Sequence, residues 1–231
     1  MKKLGILGGM GPESTLLYYK EIASAYQKKD KNGYFPALTI ETVNIYEMLH
    51  YCSTKQYDAL ADYLLAGIFN LERAGADFAV LAANTPHAVF DILRQKAHIP
   101  LLSITEPVCN ALNAAGIQKA AWLGIRMTME QERFSVLFAE HGIQTVIPKE
   151  EERILIDRII AQELEFGIVN DSSRAQINQI IGRMITEEHI EGVILGCTEL
   201  PLLYANEKLP VPVFDTVKYH IQGILAYMFE E

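Results

Sequence analysis

Short apolar runs alternate along this chain with stretches of helical spacing, and this alternation constrains the fold more than any other feature. The runs at 4–7, 78–82 and 192–195 are continuous and do not alternate between apolar and polar residues. Continuous apolar strands are buried on both faces, which is typical of parallel sheets covered by helices. The sequence therefore predicts an α/β fold with parallel sheets.

The predicted elements cover the chain without a long linker or a low-complexity segment. Further strands are expected at 37–43, 100–103, 120–123, 145–147 and 211–213, and helices at 12–27, 57–74, 86–95, 106–115, 128–141, 150–165, 172–188 and 215–228. Right-handed crossovers between parallel strands bring the carboxyl ends of the strands, and with them the ligand site, to one edge of a sheet.

Composition limits the class of protein. The chain has 231 residues, of which 50% are hydrophobic and 21% charged, which is enough for one large α/β domain or two small ones. The net charge of −9 argues against nucleic acid as a partner. The apolar runs are too short for a membrane span, and glycines interrupt the N-terminal run where a signal peptide would need continuity.

Cysteine usage favours a reducing, cytoplasmic setting. There are three cysteines, Cys52, Cys109 and Cys197, and no two of them form a CxxC pair. An odd number without such spacing indicates neither a disulfide framework nor a zinc site. We therefore expect no metal, and the chain also shows no complete nucleotide fingerprint and no recognisable pyridoxal phosphate lysine.

A glycine-rich turn follows the first strand and reads Gly8-Gly9-Met10-Gly11-Pro12-Glu13-Ser14-Thr15. It resembles a dinucleotide fingerprint, but Ser14 replaces the third glycine and Glu13 brings a carboxylate to the expected pyrophosphate position. Backbone N–H groups around Met10 and Gly11 favour a smaller anion such as a carboxylate. A bare tight turn is the second interpretation, and dinucleotide binding is the third.

Two segments of the chain resemble each other. Residues 80–85 and 193–198 are each a buried strand that runs into a turn of small and polar residues. Asn84 and Thr85 stand in the first turn, and Cys197 and Thr198 in the second. Two such units are typical of a two-lobed enzyme with its site in a cleft.

The glycine turn and three further segments together resemble the aspartate/glutamate racemase family over essentially the whole chain. The segments are Ala83-Asn84-Thr85-Pro86-His87, Met127-Thr128-Met129-Glu130, and Gly196-Cys197-Thr198-Glu199 followed by Asp215-Thr216. The resemblance implies two Rossmann-like lobes with parallel four-stranded sheets related by pseudo-twofold symmetry, with the active site in the cleft between them. It also implies a cofactor-independent amino-acid racemase that forms D-amino acids, usually as a homodimer. We place the lobes at 1–98 with 210–231 and at 99–209.

The resemblance also implies a two-base mechanism in which two cysteines flank the substrate Cα, and here the chain departs from the family. The second cysteine falls on Cys197, but the first falls on Ala83, which cannot carry a proton. Some similar members have threonine at that position. The open outcomes are slow racemisation through water, a second proton donor such as Thr85 or Thr128, or a one-sided reaction. A lyase or cis–trans isomerase acting on a small dicarboxylate, an impaired carboxylate-binding homologue, and an Ala83 introduced to trap substrate remain alternatives.

Cys197 is the expected proton-transferring residue. A helix beginning near Thr198 would favour its thiolate, and His220 could exchange its proton. His87 could order its loop or line the cleft. The candidate substrate-binding residues are Met10, Gly11, Asn84, Thr85, Thr128, Thr198 and Glu199.

The substrate's side chain is harder to predict. Residues 51–53 and 166–169 lack the cations that acid-specific relatives carry there, and Arg126 and Arg174 are the nearest alternatives. An uncharged or basic amino acid is therefore an open alternative to aspartate or glutamate.

Overall fold

The computed structural model describes residues 2–204 and 207–230, which form two compact units. The first unit extends to Ile104 and includes the chain again from His220 onward. The second unit comprises Thr105–Tyr219.

The described part of the first unit contains one parallel four-stranded sheet. Its strands are β1 (Leu4–Gly8), β2 (Leu38–Thr42), β3 (Phe78–Leu81) and β4 (Leu101–Leu102). Their order is β2-β1-β3-β4, and Leu4 is in register with both Leu38 and Phe78. Strands β1 and β3 are buried along their whole length, as their continuous apolar sequences predict.

Helices connect these strands. They are α1 (Pro12–Lys29), α2 (Ile45–Ser53), α3 (Tyr57–Arg73) and α4 (Phe90–Lys96), with a 3₁₀ segment at Thr85–Val89. Helix α3 buries Leu60, Leu64, Ile68 and Leu71, a spacing that forms one apolar stripe. Gly67 lies against the side chain of Leu7, so the absence of a Cβ there allows α3 to approach β1 closely.

The described part of the second unit repeats this arrangement. Its strands are β5 (Lys119–Leu123), β6 (Gln144–Val146), β7 (Gly192–Leu195) and β8 (Val213–Asp215), all parallel and in the order β6-β5-β7-β8. The helices are α5 (Thr105–Ala114), α6 (Arg126–Met129), α7 (Glu132–Glu140), α8 (Glu150–Gln162) and α9 (Asp171–Glu188), with 3₁₀ segments at Leu164–Phe166 and Leu200–Tyr204. Helix α10 (Thr216–Phe229) begins in this unit, and its residues from His220 onward belong to the first.

Trp122 organises the core of the second unit. Its side chain is 1% exposed and packs against the rings of Phe134 and Phe138. The indole nitrogen donates to the Thr128 carbonyl at 3.3 Å, and a Cβ at Gly196 would collide with the indole ring. One core side chain thus contacts both the turn after β7 and the short helix α6.

The predicted α/β fold with two parallel four-stranded sheets is confirmed for the described residues. The division into units differs from the sequence-based one of 1–98 with 210–231 and 99–209. Strand β4 pairs with β3, which assigns residues 99–104 to the first unit. Strand β8 pairs with β7, which assigns residues 210–219 to the second.

Several elements also differ locally from the prediction. The strand predicted at 211–213 lies at Val213–Asp215, and the helices predicted at 86–95 and 150–165 each contain a 3₁₀ segment. Helix α2 was not predicted, because its nine residues bury only Met48 and Cys52 and form little apolar stripe; Asn44 caps it by accepting from the Tyr46 N–H at 2.9 Å. The helix predicted at 128–141 is divided into α6 and α7.

Candidate active site

The glycine turn of the first unit is held together by Thr15. Its hydroxyl accepts from the Gly9 N–H at 2.9 Å and donates to the Gly11 carbonyl at 3.1 Å. A Cβ at Gly8 would collide with the same side chain, and Gly9 combines a φ of +81° with close contact to the Val43 carbonyl. Packing therefore explains the first two glycines.

Gly11 has a different environment, because no described atom beyond Gly11 and its two chain neighbours lies within 4 Å of the position that its Cβ would occupy. It precedes α1 in an extended conformation with a φ of −175°, which any residue can adopt. The neighbouring Met10 side chain is 7% exposed. Packing does not require glycine at position 11, so close approach of a ligand to the backbone stays a prediction there.

Ser14 accounts for the departure from a dinucleotide fingerprint. Its side chain is buried, and its hydroxyl donates a hydrogen bond to the Ala82 carbonyl just after β3. This side chain occupies the helix–strand contact that the third glycine of a dinucleotide fold keeps open. The contact also joins the glycine turn to the turn that carries Ala83.

The turn after β3 contains Ala83, Asn84 and Thr85, all at most 7% exposed. Both ring nitrogens of His87 bind backbone: Nδ1 lies 2.9 Å from the Ala83 carbonyl oxygen, and Nε2 accepts from the Ile104 N–H at 3.1 Å. Burial lowers the pKa of His87 to about 3. Of the two roles considered for His87, the structure shows the ordering of this loop.

His220 lies in the first unit and is fully buried. Its Nδ1 is 2.8 Å from the Tyr18 hydroxyl. Burial, followed by the neighbouring His87, lowers the pKa of His220 to about 3. A histidine that stays neutral and has no access to solvent is a poor proton exchanger, so its environment does not support the role predicted for it.

Cys197 follows β7 in the second unit, where the Gly196 N–H donates to the Leu123 carbonyl at 2.6 Å. The Cys197 thiol is 9% exposed and donates to Oε2 of Glu199 at 2.8 Å. Burial, and then the charge of Glu199, raise the pKa of Cys197 well above its usual value. The expectation of a stabilised thiolate was therefore wrong, because only a five-residue 3₁₀ segment follows the turn and a carboxylate contacts the sulfur.

The resting group is consequently a thiol beside a proton acceptor. Glu199 was predicted to bind substrate, but its carboxylate contacts the sulfur of Cys197. Sequence reasoning did not identify Glu165, whose pKa is raised by burial and then by the charges of Glu199 and Asp157. No sequence signal pointed to Glu165, because its nearness to Glu199 arises only in the folded chain. The thiol lies in negatively charged surroundings.

The two cations considered for substrate binding already have carboxylate partners. Arg126 Nε lies 2.8 Å from Glu130, and its Nη2 lies 3.6 Å from Glu150. Arg174 Nη2 lies 2.7 Å from Asp171 and 3.4 Å from Glu207. A substrate carboxylate would have to displace these partners, so neither arginine provides a site for an acidic side chain.

The remaining predicted residues are two threonines that differ in exposure and two residues at the start of α10 that form structural hydrogen bonds. Thr128 is 1% exposed on α6, whereas Thr198 is partly exposed beside Cys197. Asp215 and Thr216 have structural contacts: the Asp215 carboxylate accepts from the Val217 N–H at 2.9 Å, and the Thr216 hydroxyl donates to the Leu195 carbonyl at 3.0 Å. They fix the start of α10 against the end of β7.

The other two cysteines, Cys52 and Cys109, are buried. Burial raises the pKa of Cys52 to about 11. Burial, and then the charge of Glu106, raise the pKa of Cys109 to about 12.

Within residues 2–204 and 207–230, no group of three or more His, Cys, Asp or Glu side chains could hold a metal ion. Among the described helices, none has both the length and the apolar character that crossing a membrane requires.

Comparison with known proteins identifies racemases as relatives of this chain. Residues 7–224 match the family model described as Asp/Glu/Hydantoin racemase. The broad specificity amino-acid racemase RacX of Bacillus subtilis is 25% identical over 238 residues, which cover 97% of this chain and 99% of RacX.

The solved structures that are similar to this chain include members of the same family. A candidate Asp/Glu racemase from Yersinia pestis has a TM-score of 0.91 and 32% identity, with 100% of both chains covered. An aspartate racemase homologue from Pyrococcus horikoshii OT3 has a TM-score of 0.88 and 36% identity, again over 100% of both chains.

Proposed function

The chain belongs to the Asp/Glu/hydantoin racemase family, and from this premise we propose that Cys197 exchanges the Cα proton of an amino acid without a cofactor. The family and its relatives support an isomerase of the racemase type. The observation that carries the proposed role of Cys197 is its hydrogen bond to Glu199 at 2.8 Å.

This pair can perform general base chemistry. Glu199 takes the thiol proton, and the thiolate sulfur then takes the Cα proton, leaving a carbanion whose α-carboxylate becomes enolate-like. The reverse transfers return a proton to Cα and restore the thiol and the carboxylate. The thiolate forms only during the reaction, which fits a thiol whose pKa burial and Glu199 raise at rest.

The enolate requires hydrogen-bond donors. We propose Asn84, Thr85 and Thr198 as side-chain donors to the substrate carboxylate, with backbone N–H groups near Met10 and Gly11. Thr128 and Glu199 complete the proposed set of substrate-binding residues. Preorganised donors of this kind typically contribute about 10²–10³ in kcat each.

The second face of Cα lacks the family's first cysteine, because position 83 is alanine. Proton exchange with retention at the Cys197 face should then be faster than inversion, which needs a proton from water or from a hydroxyl. Racemisation in this chain is therefore proposed to be slow relative to Cα exchange.

We further propose an uncharged or basic amino acid as substrate. Arg126 and Arg174 are both ion-paired, and Glu199 and Glu165 surround the thiol with negative charge. A side-chain carboxylate would be repelled there, whereas an ammonium or guanidinium group would be attracted. Assembly as a homodimer and a cytoplasmic location are proposals that rest on the family resemblance and on the cysteine usage.

Proton NMR in D₂O over a panel of acidic, neutral and basic amino acids tests these proposals. Wild type should exchange the Cα proton of a neutral or basic amino acid, and Cys197→Ser should lower the rate by about 10²–10⁴ with folding retained. Cys109→Ala is the matched control and should stay active.

Exchange that survives in Cys197→Ser would contradict the role of this residue. Loss of CO₂ or a rearranged alkene from a small dicarboxylate, without Cα exchange in any amino acid, would indicate the lyase or cis–trans isomerase instead. Thermal stabilisation by amino acids with no turnover at all would indicate a carboxylate-binding homologue.

A further inference from the structure

The turn after β3 has three consecutive carbonyl groups that are each held by a hydrogen bond. The Ser14 hydroxyl donates to the Ala82 carbonyl. The His87 ring Nδ1 donates to the Ala83 carbonyl at 2.9 Å, and the His87 backbone N–H donates to the Asn84 carbonyl, also at 2.9 Å. Each of these contacts fixes the orientation of one peptide plane.

Fixing the carbonyl groups also fixes the amides that follow them. In a trans peptide, the N–H of the next residue points opposite to the carbonyl of the same plane. The N–H groups of Ala83, Asn84 and Thr85 are therefore directed away from Ser14 and His87. These three residues follow the carboxyl end of β3, where ligands bind in parallel sheets.

His87 is locked in one tautomer and one orientation. Because the Ile104 N–H donates to Nε2 at 3.1 Å, Nε2 carries no proton, and the proton on Nδ1 faces the Ala83 carbonyl. The ring is fully buried and stacks on Phe90 with a centroid distance of 4.8 Å. A protonated ring would direct an Nε2–H at the Ile104 N–H, so only the neutral form fits.

We propose that His87 is a positioning residue of the racemase site, which holds the Ala83 carbonyl so that the Asn84 N–H is directed at the substrate carboxylate. This inference rests on the proposed function. The His87 ring does not contact substrate; it acts through the peptide plane between Ala83 and Asn84. Its contribution grows as the carboxylate becomes enolate-like, because a preorganised N–H needs no reorientation in the transition state.

Two variants separate the two hydrogen bonds of the ring. In His87→Asn the side-chain NH₂ takes the place of Nδ1 and can still donate to the Ala83 carbonyl. In His87→Gln the longer side chain reaches the place of Nε2 and can still accept from Ile104, but the bond to Ala83 is lost. We expect kcat/KM for Cα exchange to fall about 10²-fold in His87→Gln, mainly through kcat, and less than about tenfold in His87→Asn.

Tyr18→Phe is the matched control, because it removes a buried hydrogen bond to His220 in the same unit and leaves both hydrogen bonds of the His87 ring in place. Its thermal stability should fall while kcat/KM stays within about threefold of wild type. The proposal is overturned if both His87 variants lose activity equally, in step with their losses of stability, or if His87→Gln keeps wild-type kcat/KM.

A measurement without turnover keeps this inference separate from the proposed function. ¹⁵N NMR of the wild type should show neutral His87 with its proton on Nδ1 between pH 5 and 8. The amide shifts of Ala83, Asn84 and Thr85 should be retained in His87→Asn and displaced in His87→Gln. An Nε2–H tautomer, or unchanged shifts in His87→Gln, overturns the positioning role even where exchange is normal. Absence of exchange in the wild type with the expected NMR result refutes only the proposed function.

Discussion

The turns after β3 and β7 are built alike but carry different chemistry. Each follows an inner strand of a four-stranded parallel sheet, and each leads into a 3₁₀ segment of five residues, Thr85–Val89 and Leu200–Tyr204. The first presents a methyl group at Ala83 beside a backbone fixed by a neutral histidine. The second presents a thiol that donates to a carboxylate. Each unit thus has a turn of the same kind, and only the second turn carries the side chain for which we propose proton transfer.

Restoring a thiol in the first turn is the strongest way to remove this difference. Ala83→Cys replaces a small side chain at the position where the resemblance to the family places the first cysteine, with Asn84 and Thr85 beside it. We expect the rate of racemisation to rise about 10²–10⁴-fold, because a positioned acid or base contributes that much. Chiral chromatography of the product gives the rate.

The matched control for this gain is Cys109→Ala in the Ala83→Cys background, which should keep the increase. An Ala83→Cys variant that folds but shows no gain with any amino acid would indicate that the site serves one-sided chemistry. A gain confined to aspartate and glutamate would contradict the substrate class proposed from the paired arginines.

The second turn can be tested through its carboxylate. Glu199→Gln removes the proton acceptor of the thiol and should lower Cα exchange about 10–10²-fold, at the lower end of general base effects. The same change removes a negative charge that raises the pKa of Cys197, so the thiolate fraction at pH 8 should increase. Alkylation of Cys197 by iodoacetamide should then be about 3–10-fold faster than in wild type.

Slower Cα exchange combined with faster alkylation in Glu199→Gln would show that Glu199 accepts the thiol proton. A residue whose charge only repels acidic substrates would not produce this combination. Glu165→Gln is a suitable comparison, because Glu165 influences the thiol by its charge but no hydrogen bond between the two is seen in the described residues. It should speed alkylation slightly and leave exchange nearly unchanged. Parallel losses of both rates in Glu199→Gln would mean that the variant disturbs the fold of the turn.

The sequence predicted the sheets well because their signal is local. Continuous apolar runs such as β3 and β7 are recognisable without knowledge of their neighbours. Helix α2 was not predicted because two buried residues, Met48 and Cys52, do not establish a helical stripe. The unit boundary depended on the pairing of β8 with β7, which joins residues about 20 positions apart and leaves no local pattern.

Residues of the candidate site could be selected from the sequence, but their electrostatics could not be predicted from it. Cys197 and Glu199 were both selected from the sequence, yet the pKa of the Cys197 thiol is raised where a lowered value was expected, because burial and the carboxylate outweigh the donors of a short 3₁₀ segment. The role that we propose for His87 depends on the Ile104 N–H, 17 residues away, which no spacing rule identifies.

The last expected effect is a difference in acid stability between the two units. His87 and His220 have pKa values of about 3 in the folded first unit, below the usual value of 6.5. The unfolded chain therefore binds protons that the folded unit excludes. Full stability is present above about pH 6.5 and is lost as the pH falls towards 3, by up to about 1.4 kcal/mol per pH unit for each histidine.

The second unit should respond at lower pH. Hydrogen bonding to Arg126 lowers the pKa of Glu130, and hydrogen bonding to Lys149 lowers the pKa of Glu187. The stability that these carboxylates contribute is therefore present above pH 4.5, near their pKa in the unfolded chain, and is lost only below it. Hydrogen exchange at pH 7, 6 and 5 should show protection decreasing first in β1 and β3, while β5 and β7 stay protected. Equal loss of protection in all four strands would show that the two units unfold as one, and earlier loss in β5 and β7 would contradict the assignment of the acid-sensitive groups to the first unit.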